Sequence, residues 1–391
     1  MNRIRIASLF SGCGGLDLGF LGGFSTLGAL YERLNTEVVF ANDIDDEACS
    51  VYRANHAAPM VCGDIRRVPI DAIPDFDVLI AGFPCQPFST AGARRGVDDE
   101  GGRGTLFEEC ERIIREKVAQ GVPPRAFLFE NVRGILSSYM PDGKTTVPQE
   151  ITSRMRALGY NVSVKLLCAS DYGVPQNRYR VFIIGTYAGC ASFDFNRLQT
   201  FVYQQGIPSR TYTRQEKLVM GYVLSFPTAA YDADAVHWAY TPATQKMVEA
   251  IGKCYGAPSR AVFDGEKPLS MLAKEYRQGR SWKNIPREKL TPRFQRIRDD
   301  PQRYRSPNFF RRFALGEISG TVIASAQPEN SGITHPTEDR RLTVREVARI
   351  QSFPERYDFS SVAVPSRYKV IGNAVPPVLG WVLAKNLLEL I

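Results

Sequence analysis

The chain has little with which to bind a metal or to cross-link itself. Its 391 residues hold only three histidines, at 56, 237 and 335. Its eight cysteines (13, 49, 62, 85, 110, 168, 190 and 254) include no Cys-x-x-Cys pair. That scatter argues against a zinc site and against a disulfide framework, so reduced thiols and no metal are expected. No apolar run reaches the roughly 18 residues of a membrane-spanning helix. The first residues, Met-Asn-Arg-Ile-Arg-Ile, lead into a candidate strand without the apolar segment of a signal peptide. A cytoplasmic protein without membrane partners is expected. Internal repeats and low-complexity tracts are missing as well.

What is present is apolar content and a concentrated positive charge. At 44% hydrophobic, the chain can bury a large core and should form two domains or one with a large insertion. The net charge is +8, and from Lys274 to Arg312 thirteen Lys or Arg face four acids, a surplus of nine. Aromatic and amide side chains are interleaved there, among them Trp282, Phe294, Gln295 and Phe310. A charge run is usually a solvated face. A segment carrying the whole surplus suits phosphate contacts instead.

Residues 3 to 187 alternate short apolar strands with helical patterns, which predicts an α/β fold with a parallel sheet. Candidate strands are 4–10, 38–42, 76–83, 126–129, 162–167 and 181–186. Capping boxes at Thr105-Leu-Phe-Glu108 and Thr343-Val-Arg-Glu346 mark helix starts. Between about 190 and 340 no clear period remains. The last helix, Val378 to Leu390, is apolar enough to need a core, and the sheet domain is the one available.

The chemistry-bearing residues sit at strand ends, where open α/β sheets bind ligands. Pro84-Cys85-Gln86-Pro87 follows the apolar run 76–83 and fixes the backbone of a candidate nucleophile; a buried, inert cysteine is the alternative. Phe10-Ser-Gly-Cys-Gly-Gly15 follows the first strand with glycines that permit a tight turn, but it lacks the dinucleotide spacing and the phosphate-loop lysine. Asp43 is placed for ribose hydroxyls, with Asp45 the better helix cap, and Asp64 for an adenine amine. Three such features in order indicate a nucleoside cofactor, and the missing phosphate cradle favours S-adenosylmethionine over NAD. Glu130 closes the fourth strand, where burial would favour a protonated acid. Arg178 and Arg180, spaced i, i+2 on extended chain, should share a face. The glycine-rich, charged stretch 89–104 suggests a lid.

In that order these segments resemble the DNA (cytosine-5)-methyltransferase family of prokaryotic type. The resemblance also takes in Gly-Thr-Leu-Phe (104–107), Gln-Asn-Arg-Tyr-Arg (176–180), Gln-Ser-Phe-Pro (351–354) and Gly-Asn-Ala-Val-Pro-Pro (372–377). It covers residues 1–187 and 338–391. It implies a Rossmann-like methyltransferase sheet domain over 1–190, completed by 366–391. A smaller target-recognition domain over 191–365 is inserted before the C-terminus.

The resemblance implies catalysis by Cys85, Glu130, Arg178 and Arg180, with Cys85 adding to cytosine C6. It implies S-adenosylmethionine as cofactor, held by Phe10, Gly12, Gly14 and Gly15 on one side. Asp43, Ile44, Asp64 and Ile65 would take its ribose and adenine, while Pro87, Leu106, Asn373 and Val375 close the site. Many relatives carry glutamate at the Asp43 position, and Ile44 stands where an aromatic often stacks. Double-stranded DNA is the implied partner, with the target base flipped. DNA contacts fall to Ser89, Arg94, Arg95 and Arg103 on the lid. The basic segment would add Arg293, Arg296, Arg303, Arg305, Arg311 and Arg312, and Thr321 would lie near the flipped base. A monomer associated with the nucleoid is expected, and a separately encoded restriction endonuclease is a candidate partner. A tRNA methyltransferase is the nearest rival; that branch usually has threonine where Ser89 stands. A DNA-binding regulator with a degenerate site and a nicotinamide oxidoreductase are further alternatives.

Overall fold

The computed structural model describes residues 3–84, 106–198, 218–255, 279–300, 310–328 and 332–391. Its centre is a seven-stranded sheet built from β1 (Ile4–Leu9), β2 (Thr36–Asp43), β3 (Met60–Cys62), β4 (Val78–Ala81), β5 (Ala126–Val132), β6 (Tyr160–Cys168) and β7 (Tyr179–Tyr187). The order is β3-β2-β1-β4-β5-β7-β6, with β7 antiparallel to both its neighbours and the remaining pairs parallel. The two halves run outward in opposite directions from β1 and β4. A crevice therefore opens at their carboxyl ends.

Both faces of the sheet's centre are buried, so β4 and most of β5 read as apolar runs. Successive residues nevertheless go to opposite sides. Val78, Ile80, Ala126, Leu128, Phe182 and Ile184 enter one core, while Leu79, Ala81, Phe127, Phe129, Val181 and Ile183 enter the other. The second core is covered by α3 (Leu106–Ala119) and α4 (Val147–Ala157).

The first core is covered by α1 (Gly15–Leu21) and by the returning C-terminus. The C-terminal elements are α8 (Val344–Ile350), α9 (Val364–Asn373) and α10 (Pro377–Leu388). Helices α1 and α10 touch through glycine: a Cβ on Gly19 would fall 2.7 Å from the Gly380 backbone. Trp381 then fixes the register by donating Nε1–H to the Glu32 carbonyl at 2.9 Å.

The helix starts follow capping chemistry. Asp45 caps α2 (Asp46–Asn55) by accepting from the N–H groups of Glu47 and Ala48. Thr146 forms a capping box with Gln149, and Thr343 forms the expected one with Glu346. Thr105 lies outside the described residues.

The region that lacks a sequence period folds around a separate small core. Met247 and Ile251 of α6 (Pro242–Ile251), Phe294 and Ile297 of α7 (Pro292–Asp299), and Trp282, Ile285, Leu290 and Phe310 meet there. Trp282 and Phe310 lie 5.6 and 5.3 Å from Phe294, ring centre to ring centre. Trp282, Phe294 and Phe310, interleaved with the basic residues, are thus the filling of this core. A short helix, α5 (Met220–Ser225), instead packs against the first core through Met220 and Val223.

No described helix is long and apolar enough to cross a membrane. No metal-binding group of His, Cys, Asp or Glu occurs among the described residues.

Candidate active site

The crevice at the carboxyl ends of β1, β2, β4 and β5 is a cleft of about 720 Å³. Each strand delivers one part of it. Phe10, just past β1, takes a left-handed backbone (φ 54) that a phenylalanine rarely adopts, and Gly12 follows at φ 57. A Cβ on Gly12 would meet nothing within 4 Å, so that glycine leaves backbone bare toward the cleft. Gly14 and Gly15 meet close neighbours behind the loop. A Cβ on Gly14 would strike the His56 ring at 2.3 Å, and one on Gly15 the Val375 carbonyl at 2.4 Å. Their bareness serves packing behind the loop, and neither lines the cleft.

Asp43, ending β2, anchors that loop. Its Oδ2 accepts from Gly12 N–H at 2.8 Å and its Oδ1 from Asp45 N–H at 2.9 Å. Burial pushes its carboxyl above the ordinary value. Each oxygen keeps a lone pair for a ligand hydroxyl. Asp64 caps the turn after β3 and pairs with Arg66, Oδ2 to Nη2 2.7 Å; the guanidinium holds its carboxyl below the usual range. Ile44 is 68% exposed at the cleft, an uncovered aliphatic face beside Asp43. Ile65, Leu106, Asn373 and Val375 also line the cleft, so the C-terminal segment closes it.

Beneath the loop lies a buried polar cluster. Asp17 accepts from Ser8 Oγ at 2.9 Å and Tyr52 Oη at 2.8 Å. Burial raises its carboxyl to about 6. Tyr357 donates to the Cys13 carbonyl, which leaves His56 Nε2 to donate to Tyr357 Oη at 2.9 Å. Burial lowers His56 to about 4, so it is neutral imidazole.

Glu130 and Arg180 form the reactive end. Glu130 Oε1 accepts from Arg180 Nε at 2.8 Å, and both side chains are nearly buried. This guanidinium was missing from the expectation of burial alone. The acid lies against the chain after β4: a Cβ on Gly82 would sit in ordinary contact with Glu130 Oε2, at 3.5 Å. Asn131, to which the sequence assigned no role, donates Nδ2–H to the Phe83 carbonyl at 3.1 Å and holds the chain leading to Pro84. A buried amide directly after a strand-end acid was the available signal.

Arg178 does not join Arg180 in the cleft. It is 1% exposed and spends its donors on the carbonyls of Val322, Gly372 and Ala374. The shared-face expectation fails because the strand breaks at 178: Gln176–Asn177 pairs with Ser319–Gly320, and β7 begins at Tyr179.

Arg312 is also corrected. Fully buried, it pairs with Asp339 at 2.6 Å and cannot reach a phosphate. Arg311 is held by Glu317 at 2.6 Å and lies over the Phe313 ring. Arg293 and Arg296 are exposed on α7. Thr321 is half-buried, donating to the Asn177 carbonyl at 2.8 Å. Cys85, Pro87, Ser89, Arg94, Arg95, Arg103, Arg303 and Arg305 lie outside the described residues.

A strand-end acid paired with arginine, beside a glycine loop tied to an aspartate, suits a site that holds a nucleoside next to a flat polar ring. A family model decides what this arrangement belongs to: C-5 cytosine-specific DNA methylase matches residues 4–389. The chain belongs to that family. It is an enzyme, a DNA cytosine-5 methyltransferase, and its sheet is the Rossmann-like methyltransferase sheet.

It is 30% identical over 388 residues to the Type II methyltransferase M.FnuDI of Fusobacterium nucleatum, covering 99% of this chain and 94% of that one. It is 31% identical to M.NgoFVII of Neisseria gonorrhoeae, covering 100% and 87%. The methyltransferase EhMeth of Entamoeba histolytica, 15% identical, shares the fold at a TM-score of 0.59 over 100% of this chain and 99% of that one.

Proposed function

We propose that this methyltransferase acts on one short sequence in duplex DNA, as the modification enzyme of a Type II system or as an orphan, with S-adenosylmethionine in the cleft. The observation that carries this is the Glu130–Arg180 pair, lying beside Gly82 on the chain that leads to Pro84-Cys85. The fit of the cofactor rests on the bare backbone at Gly12, the Asp43 oxygens and the uncovered face of Ile44. Asp64, Ile65, Leu106, Asn373 and Val375 complete its surroundings. When bound, S-adenosylmethionine supplies an electrophilic methyl group.

Cytosine C5 is a weak nucleophile, and the chain's residues supply its activation. The Cys85 thiolate adds to C6 while Glu130 donates to N3 and Arg180 to O2, so electron density gathers at C5. Once C5 carries the methyl group, its proton leaves to a base and Cys85 departs from C6, restoring the ring. This is covalent catalysis with acid assistance. A base inside a duplex hides C6, so the target must be flipped out, at a cost of a few kcal/mol.

Residues 191–365 then serve as the recognition region, with Arg293, Arg296, Arg303 and Arg305 on phosphates and the 89–104 segment closing on DNA through Ser89, Arg94, Arg95 and Arg103. A monomer in the cytoplasm fits these roles.

The test is transfer of labelled methyl from S-adenosylmethionine to duplex DNA and, in parallel, to tRNA. Label should enter DNA alone, and Cys85→Ala should abolish transfer while retaining cofactor binding. Label in tRNA alone would move the reading to the RNA branch, and methylation by Cys85→Ala would remove the nucleophile.

A further inference from the structure

Arg178 sits outside the cleft, at a point where three distant stretches of chain meet. Gln176, Arg178 and Gln351 are each at most 1% exposed. Arg178 donates Nη1–H to the Val322 carbonyl at 2.7 Å and Nη2–H to the carbonyls of Gly372 and Ala374 at 3.0 and 3.1 Å. Gln176 Oε1 accepts from Val322 N–H at 2.8 Å, and its Nε2 donates to Gln351 Oε1. Gln351 in turn donates to the carbonyls of Ile371 and Ala374 at 2.8 and 2.9 Å.

The backbones are in contact too, since a Cβ on Gly372 would fall 2.3 Å from that of Ile323. One hub therefore fixes the 319–323 segment, the entry to the strand that carries Arg180, and the 371–375 segment that brings Asn373 and Val375 to the cleft. Bonds from one buried guanidinium to two segments are strong and leave no water to substitute for a lost partner. Displacing either segment strands the donors that served it.

We propose that Arg178 is a positioning residue that couples occupancy of the cofactor cleft to the placement of residues 319–323, so that cofactor and DNA strengthen each other's binding. This rests on the cleft being the cofactor site. Ligand contact at Asn373 and Val375 orders 371–375, the guanidinium transmits that order to the Val322 carbonyl, and Thr321 is carried with it. By linkage the effect is reciprocal, and couplings of this kind amount to about 5–150-fold.

The first test needs no variant. Hydrogen exchange of the full chain is followed with and without S-adenosylhomocysteine, in the absence of DNA. The Val322 amide should exchange at least about five-fold more slowly with the ligand. Binding without protection at 319–323 would overturn the coupling alone, whereas no binding at all would overturn the cofactor reading beneath it.

The second test titrates S-adenosylhomocysteine into wild type and Arg178→Lys, with and without the methylated duplex sequence. Lysine keeps the charge but cannot bridge both segments. The duplex should tighten ligand binding by wild type and leave that by the folded variant nearly unchanged. A merely structural arginine would lower the unfolding midpoint while the ratio persisted, and that result would refute the proposal.

Discussion

Arginine behaves in opposite ways at the sheet edge and in the region between the sheet and its C-terminal cover. At the edge, Arg180 pairs with Glu130 and still lines an open cleft. In the intervening region, Arg312 is sealed against Asp339 and the Val248 carbonyl, and Arg311 against Glu317. Arg341, in the chain returning to the sheet, lies over both Trp238 and Tyr240 while donating to the carbonyls of Ala326, Trp238 and Ala239. Charge counted along a chain is therefore not charge offered to a ligand. A guanidinium with five donors is also an efficient filler for loops that leave carbonyls unpaired, and a region poor in helices and strands has many.

The contrast can be broken most severely at the edge. Glu130→Gln keeps the shape but cannot supply the acid, and should slow single-turnover methyl transfer by about two to four orders of magnitude. A near-normal rate would remove Glu130 from the chemistry. In the second region the loss should be one of stability. Arg312→Ala should destabilise by about 3 kcal/mol in urea unfolding, because a fully buried charged partner is lost. If it instead weakened DNA binding with stability intact, the burial argument would fail.

The buried cluster under the glycine loop predicts opposed pH slopes. Asp17 is raised to about 6 in the fold. Between pH 4 and 6 the native state thus holds a proton that the unfolded chain has lost, and stability falls as pH rises. His56 is lowered to about 4. Between pH 4 and 6.5 the unfolded chain holds the extra proton, and stability rises with pH. Each slope spans about 3 kcal/mol, at 1.36 per pH unit, so in wild type they nearly offset. Urea unfolding at pH 4.5 and 6.5 should show a steeper rise for Asp17→Asn and a fall for His56→Gln. Equal slopes in all three proteins would contradict the assignment. The smallest effect belongs to the exposed side of α7. Arg296→Ala should leave stability within about 0.5 kcal/mol and reduce the salt dependence of DNA binding by about one unit of slope.

What could be read in advance follows how local the cause is. The strand at Val78–Ala81, the Asp45 cap, the Thr343 box and the C-terminal helix over the first core were legible, because apolar pattern and capping act over a few residues. So was Glu130, as an acid closing an apolar strand. The packing of Gly14 and Gly15 and the placement of Arg178 were not legible, because their reasons lie in distant partners: His56, the Val375 carbonyl, and the carbonyls of Val322 and Gly372. The core role of Trp282 and Phe310 was hidden for the same reason, since a small separate core leaves no period in the chain.

The central claim is that the sheet edge carrying Glu130, Arg180 and the approach to Cys85 methylates cytosine in DNA. Base-resolution methylation sequencing of a plasmid expressing this protein in a methylation-free bacterial host, with Cys85→Ala alongside, tests it directly. The account predicts 5-methylcytosine confined to one short motif and missing from the variant. Unmethylated DNA from a soluble, cofactor-binding wild-type protein would contradict it.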